Sequence, residues 1–319
     1  MTHRRERTVL VTAAGTATAV NVISALRRSD RYRVRVVAVD ADPDAAGLYL
    51  ADAHSLVPPS DDAAYIECVR NVCLQHGVDF AFPLHSSEIV PFAAARSLLA
   101  ASGVSTVLPD AKVAALCADK RAFADYMAAS GLPHPRTYRR DSTDFEFPVF
   151  VKARSGSSGK GAGVASDPTE LEVLRRHHQE CIVQEVINLP ELTVDCFISR
   201  AGVLVGCVPR YRLRVKDGKS MVALTAARPV VSTAVADLLL RLGYRGACNV
   251  QVFERLDGSV CFVEVNPRLA AGGLPLATEA GVNIPELMLR DSDGEELQPV
   301  PFEPGVRMMR YLSEVFVRG

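Results

Sequence analysis

The stretch from Val149 to Gly161 constrains the fold more than any other. An apolar strand, Val-Phe-Val-Lys-Ala153, opens into Arg-Ser-Gly-Ser-Ser-Gly-Lys-Gly161, and a second strand pattern, Ala162–Ala165, follows at once. A P-loop would carry Gly-Lys-Ser/Thr into a helix, and no such helix follows here. What remains is a hairpin with a glycine and serine tip. Those residues are usual in a solvated turn, but they also let backbone N–H groups approach a phosphate closely. Lys152, set inside an apolar strand, favours the phosphate reading. Only six of the 36 basic residues are lysines, so a lysine marks a place where a compact ammonium is needed. Lys120, Lys152 and Lys160 all fall near this hairpin, whereas Lys216 and Lys219 read as ordinary hairpin charges.

A second strand, Phe262-Val-Glu-Val-Asn-Pro-Arg268, puts Glu264 and Asn266 on one face, two residues apart. Asn249-Val-Gln251 lies on a strand expected to be its neighbour, so these side chains converge. Oxygen donors in that arrangement suit Mg²⁺, which takes one or two carboxylates together with phosphate oxygens. A surface ladder is the alternative. Glu264 sits among Phe262, Val263 and Val265, and a carboxylate so placed normally has a partner.

The chain has 319 residues, 48% of them apolar, and a formal net charge of −1. It has no basic surface suited to nucleic acid. No apolar run approaches the roughly 18 residues of a membrane span, and the polar start predicts no signal peptide. Eight scattered cysteines without a Cys-x-x-Cys pair read as reduced thiols of a cytoplasmic protein. Residues 1–108 alternate strand and helix patterns, which predicts a parallel sheet: strands Thr8–Val11, Val34–Asp40, Asp79–Pro83 and Ser105–Leu108, with helices near Ala64–Gln75 and Ile89–Ala101. Residues 109–187 form a small α/β lobe around the hairpin. Residues 188–319 are mostly long antiparallel strands with one helix near Ala234–Leu242. The fold class is α/β, with α+β lobes after the parallel-sheet domain.

Weaker candidates surround these motifs. The backbone of Gln184, Glu185, Val186 and Ile187 could read an adenine edge, or this could be a plain buried strand. Glu191, Thr193 and Asp195 share one strand face, where a carboxylate could hold a ribose. Arg210, Arg212 and Arg214 alternate along another strand and could fork onto a carboxylate or a phosphoryl group, although a solvated face is equally reasonable. Glu88 lies just past a strand, at the carboxyl end where open α/β sheets place ligands. His85 reads as a loop histidine and His177-His178 as an exposed helix end.

Together these segments resemble the ATP-grasp superfamily, in particular single-module relatives of the carbamoyl-phosphate synthetase large subunit. The resemblance rests on Asn249-Val-Gln251, Phe262 to Arg268 and Leu274-Pro-Leu-Ala-Thr-Glu-Ala-Gly281. Asp119-Lys120, Lys152, Gln184-Glu185 and the opening Val9-Leu-Val-Thr-Ala-Ala-Gly15 support it. It implies an ATP-grasp fold preceded by a Rossmann-like domain. It also implies phosphate contacts from Lys120, Lys152 and the loop Ser155, Gly156, Ser158, Gly159, Lys160 and Gly161. Gln184 to Ile187 would frame adenine, and Glu191 would hold ribose. Gln251, Glu264 and Asn266 would bind Mg²⁺ (or Mn²⁺), and Arg268 would stabilise the transferred phosphoryl group. Gln251 departs from the acidic residue common at its position, and one module is too little for complete carbamoyl phosphate synthesis. Relatives are often homodimers.

The expected function is ATP-dependent joining of a small-molecule carboxylate to an amine through an acyl phosphate, with Arg268, Lys152 and Arg210 as catalytic residues and Glu88, Arg210, Arg212 and Arg268 near the substrates. Two alternatives stand beside it. The opening βαβ pattern with Asp40 suits an NAD(P) oxidoreductase, though Gly15 is almost alone in its turn. A non-catalytic ATP-binding regulator could use the same scaffold.

Overall fold

In the computed structural model, residues 4–139, 141–156, 159, 161–216 and 218–318 are described. The first sheet contains β1 (Arg5–Val11), β2 (Tyr32–Asp40), β3 (Ala53–Leu56) and β4 (Phe80–Phe82), ordered β3-β2-β1-β4. All its pairings are parallel. The runs Val9–Val11 of β1, Val36–Val39 of β2 and Phe80–Phe82 of β4 are buried on both faces because both are covered. Val9, Val11, Phe80 and Phe82 pack on one side with helix Ala17–Arg27, while Leu10, Val37, Val39 and Ala81 pack on the other with helices Tyr65–His76 and Ser86–Ala94. The strand expected at Ser105–Leu108 is reduced to one bridge, Ser105 with Phe80. The helix expected over 89–101 is two helices, Ser86–Ala94 and Arg96–Ala101, divided at Ala95.

A second sheet is the hairpin lobe, with β5 (Val149–Ala153), β6 (Gly163–Ala165) and β7 (Cys181–Glu185) in the order β6-β5-β7, all antiparallel. The third contains β8 (Glu191–Ile198), β9 (Leu204–Lys216), β10 (Lys219–Thr225), β11 (Gly246–Glu254), β12 (Val260–Asn266) and β13 (Arg307–Met309). It runs β12-β11-β8-β9-β10-β13 and is antiparallel throughout. Leu192, Val194, Cys196 and Ile198 of β8, with Cys248, Val250 and Val252 of β11, form a core beneath helices Lys120–Ala129 and Pro229–Arg241. Strand alternation therefore turns Glu191, Thr193, Asn249 and Gln251 to the opposite face. That face also meets the first sheet: Phe197, Val205 and Val208 share a core with Val22, Leu26 and residues of helices Leu274–Glu279 and Ile284–Ser292. β3, β13 and helix Leu274–Glu279 are too short to show a period, whereas helix Ile284–Ser292 was not expected although Ile284, Leu287 and Met288 follow an i, i+3, i+4 pattern. No helix among the described residues is long and apolar enough to cross a membrane.

Candidate nucleotide and metal site

On β5, Val149 and Val151 face the small lobe's core, which leaves Phe150 and Lys152 on the other side. That side faces a cavity of about 520 Å³, lined also by Glu191, Thr193, Asn249, Gln251, Glu264 and Arg268 of the third sheet and its end. The side chains of 152 and 264 therefore open into one cleft. Lys152 is 8% exposed, and burial pushes its pKa down while the Glu264 carboxylate opposes that shift. Among the described residues no hydrogen bond holds its ammonium, so it is available to a ligand anion.

Lys120 reaches the same cavity from the start of its helix, its Nζ donating to Gly156 O at 2.9 Å. Asp119 fixes it there by capping the helix through the N–H groups of Arg121 and Ala122. The same carboxylate accepts a fork from Arg154, with Nη2 to Oδ2 at 2.7 Å. Ser155, Gly156 and Gly159 line the cavity, whereas Gly161 is held from outside by His178 Nε2 on its carbonyl. His178 is thus tied to the glycine loop and is not simply an exposed helix end. The expected contacts at Ser158 and Lys160 lie outside the described residues.

Gln184 and Glu185 at the end of β7, with Val186 and Ile187 after it, line the same cavity, and Gln184 is the register partner of Phe150 on β5. The Gln184 amide donates to Thr137 Oγ1, and the Glu185 carboxylate accepts from Arg136 N–H, so both side chains are anchored. Glu191 pairs with Arg212 at 2.8 Å. The Thr193 hydroxyl is buried and has no hydrogen-bond partner among the described residues.

The third sheet brings the expected metal donors together. Gln251 is the register partner of Glu264, and Asn249 that of Asn266. The register slips by one residue beyond Gln251, so Val252 pairs with Phe262. That irregularity puts Phe262 in the core while Val263 and Glu264 both line the cavity. Bulges are common where a strand must re-aim a side chain beside a site. Burial alone would raise the Glu264 pKa, but Lys152, Lys120, a 2.8 Å hydrogen bond from Asn266 and Arg268 hold it below the usual range. A charged carboxylate beside two amide oxygens fits a cation that keeps phosphate oxygens and waters in its shell. Among the described residues no cluster of three His, Cys, Asp or Glu forms a protein-only metal cage.

Arg268 donates from Nε to Ser86 Oγ at 2.9 Å and from Nη1 to Leu269 O, and Asn249 holds its own carbonyl. Burial pulls its pKa down, with Glu264 and Asp195 opposing. Three expectations are corrected. Arg210 does not present a free fork: Nε and Nη2 go to Asp195 and Nη1 to Ser220. Arg214 is exposed and does not line the cavity. Glu88 is not a substrate ligand either. Its carboxylate accepts from Thr12, Tyr65 and the N–H groups of Leu84 and His85, closing the capping box of helix Ser86–Ala94. The third residue of a helix is also the carboxyl edge of the sheet, and capping took it. Replacing Glu88 with Ala should cost about 3 kcal/mol by urea unfolding, because buried donors lose their acceptor. Nucleotide affinity should stay unchanged.

Asp40 of the oxidoreductase alternative is similarly engaged, accepting from the N–H groups of Gly15 and Asp42. Gly47 packs on Ala14, leaving no room there for even a Cβ.

The chain resembles known proteins in sequence and in fold. Residues 177–314 match the family described as ATP-grasp in the biosynthetic pathway with Ter operon. Residues 9–107 match the PylC-like N-terminal domain. Formate-dependent phosphoribosylglycinamide formyltransferase of Azotobacter vinelandii is 27% identical over 267 residues, 76% of this chain and 65% of that protein. The chain thus spans just under two thirds of that relative, and only 45% of another, the rice methylcrotonoyl-CoA carboxylase alpha subunit. The biotin carboxylase domain of Hydrogenobacter thermophilus 2-oxoglutarate carboxylase superposes with a TM-score of 0.74 at 20% identity, covering 93% of this chain and 71% of that one. The L-amino acid ligase of Bacillus licheniformis gives 0.72 at 18%, covering 93% and 79%.

Proposed function

Because this chain belongs to the ATP-grasp superfamily, with a PylC-like domain at its front, we propose that it is an ATP-dependent ligase joining a small-molecule carboxylate to an amine. The observation that carries this reading is the single cavity shared by Lys152 and the glycine loop on one side and Glu264, Asn266 and Arg268 on the other. Two relatives support the substrate class by name, one acting on formate and one on L-amino acids.

In this reading the γ-phosphate of ATP passes to the substrate carboxylate, giving an acyl phosphate and ADP. The amine then attacks the acyl carbon and phosphate leaves. Lys152 and Lys120 would neutralise phosphate oxygens, and Arg268 would take up charge on the transferring group. Gln251, Glu264 and Asn266 would hold magnesium, which supplies charge neutralisation on the phosphates when bound. Gln184 to Ile187 would border the adenine and Glu191 the ribose. Thr193, with a buried unpaired hydroxyl on the cavity floor, joins this set as a residue that sequence periodicity placed on the right face without a role.

Incubation with ATP, Mg²⁺ and pooled carboxylates and amines should release ADP only when both pools are present. Glu264→Gln should abolish that release. ATP binding with no ADP from any pool would leave the regulatory reading in its place.

A further inference from the structure

Glu191, Thr193 and Asp195 follow one another along one face of β8, opposite the face on which Leu192, Val194 and Cys196 meet the core. The two carboxylates are matched, Glu191 by Arg212 and Asp195 by Arg210. Thr193, between them, is not. It is 2% exposed and lines the cavity, yet its hydroxyl has no hydrogen-bond partner among the described residues. Neither cross-strand neighbour pairs with it. On β9 it faces Arg210, whose Nε and Nη2 go to Asp195 and whose Nη1 goes to Ser220. On β11 it faces Gln251, which in turn faces Glu264 on β12. Thr193 therefore continues the row of metal donors, at the roughly 5 Å spacing of cross-strand neighbours.

A buried hydroxyl without a partner keeps the cost of leaving water. Valine would avoid that cost at a buried strand position, in nearly the same shape. The groups around the hydroxyl define what completes it. Lys152 interacts with both Glu264 and Glu191, so its ammonium overlooks the stretch of sheet between them, and Thr193 occupies that stretch. With an ammonium above and metal donors alongside, an anionic oxygen is the group that fits, and a hydroxyl can donate to it. We propose that the Thr193 hydroxyl donates a hydrogen bond to the phosphate tail of the nucleotide, so that this residue separates a nucleotide from a nucleoside. This rests on the nucleotide site of the ligase reading, not on the amide chemistry.

The test titrates the full chain with adenosine, ADP and a non-hydrolysable ATP analogue, each with Mg²⁺ and with a chelator. Wild type, Thr193→Val and Thr193→Ser are compared. Thr193→Val should weaken the Kd for the analogue about ten- to a hundredfold, as for loss of a hydrogen bond to a charged group. The loss should appear with and without Mg²⁺. Thr193→Ser, which keeps the hydroxyl, should retain most of the affinity. Adenosine should bind all three proteins alike. An equal loss for ADP would assign the contact to its two phosphates, and an unchanged ADP affinity to the γ-phosphate. Without ligands Thr193→Val should melt no lower than wild type, because a buried hydroxyl without an acceptor has been replaced by a methyl group. Several results would overturn the proposal. They are an analogue affinity insensitive to the substitution, an equal loss for adenosine, a loss that serine does not restore, and a marked fall in the ligand-free melting point. A loss confined to the Mg²⁺ titrations would overturn it too, since the hydroxyl would then serve the hydration shell of the metal. If wild type fails to bind the analogue, the nucleotide reading itself falls, and this inference with it.

Discussion

Replacing Arg268 with alanine is expected to lower ligase turnover about a hundred- to a thousandfold, the usual effect of removing a preorganised donor to developing charge. The KM for ATP should stay within a few-fold. Two features of its surroundings support that split. The guanidinium is oriented before any ligand arrives, by Ser86 Oγ on Nε and Leu269 O on Nη1. Nη2 stands 3.5 Å from Asn266 Oδ1, a long contact that leaves this donor free to turn to a ligand oxygen. Nucleotide affinity, in the proposed reading, would instead be spread over Lys120, Lys152 and the loop, and no hydrogen bond among the described residues joins these to Arg268. Ser86→Ala should cost much less, since it frees one donor without removing the charge. Steady-state kinetics with ADP release as readout would decide. Turnover within a few-fold of wild type in the Arg268 variant would remove this residue from the chemistry.

The division between what sequence reveals and what it hides follows the range of each interaction. Asn249, Gln251, Glu264 and Asn266 were legible as a group because strand pairing acts between neighbours and period two is strict. Lys152 was legible because a charge inside an apolar strand is costly unless it is used. The register slip beside Glu264 was not, since a one-residue irregularity leaves composition unchanged. It decides, however, whether Phe262 or Val263 shares the cavity with that carboxylate. Glu88 and Arg210 misled for a common reason. Each sits at a position typical of ligands, but each found a protein partner through a contact that no local pattern announces.

The Asp195–Arg210 pair should show the largest stability effect in the molecule. Both side chains are 3% exposed, and the fork closes with Nε to Oδ2 at 2.7 Å and Nη2 to Oδ1 at 3.3 Å. Breaking such a pair from one side strands the other charge in a low-dielectric interior, at about 3–5 kcal/mol. Asp195→Ala should therefore move the urea midpoint far more than Arg212→Ala, whose partner Glu191 is partly in solvent. The double variant Asp195→Leu with Arg210→Met should recover most of the loss, because well-packed apolar replacements of a buried pair are often close to neutral. Gly273 tests the same pair from above. A Cβ there would lie 2.6 Å from Arg210 Nη2 and closer still to Asp195 Oδ2. Gly273→Ala must displace either the pair or the Ala270–Gly272 rim that lines the cavity. If it moves the pair, its cost should shrink in the double-variant background. If it moves the rim, its cost should persist there and ligase activity should fall with it. An Asp195→Ala protein as stable as wild type would mean that Arg210 finds water or another acceptor, and the pair could not then be the support on which that rim rests.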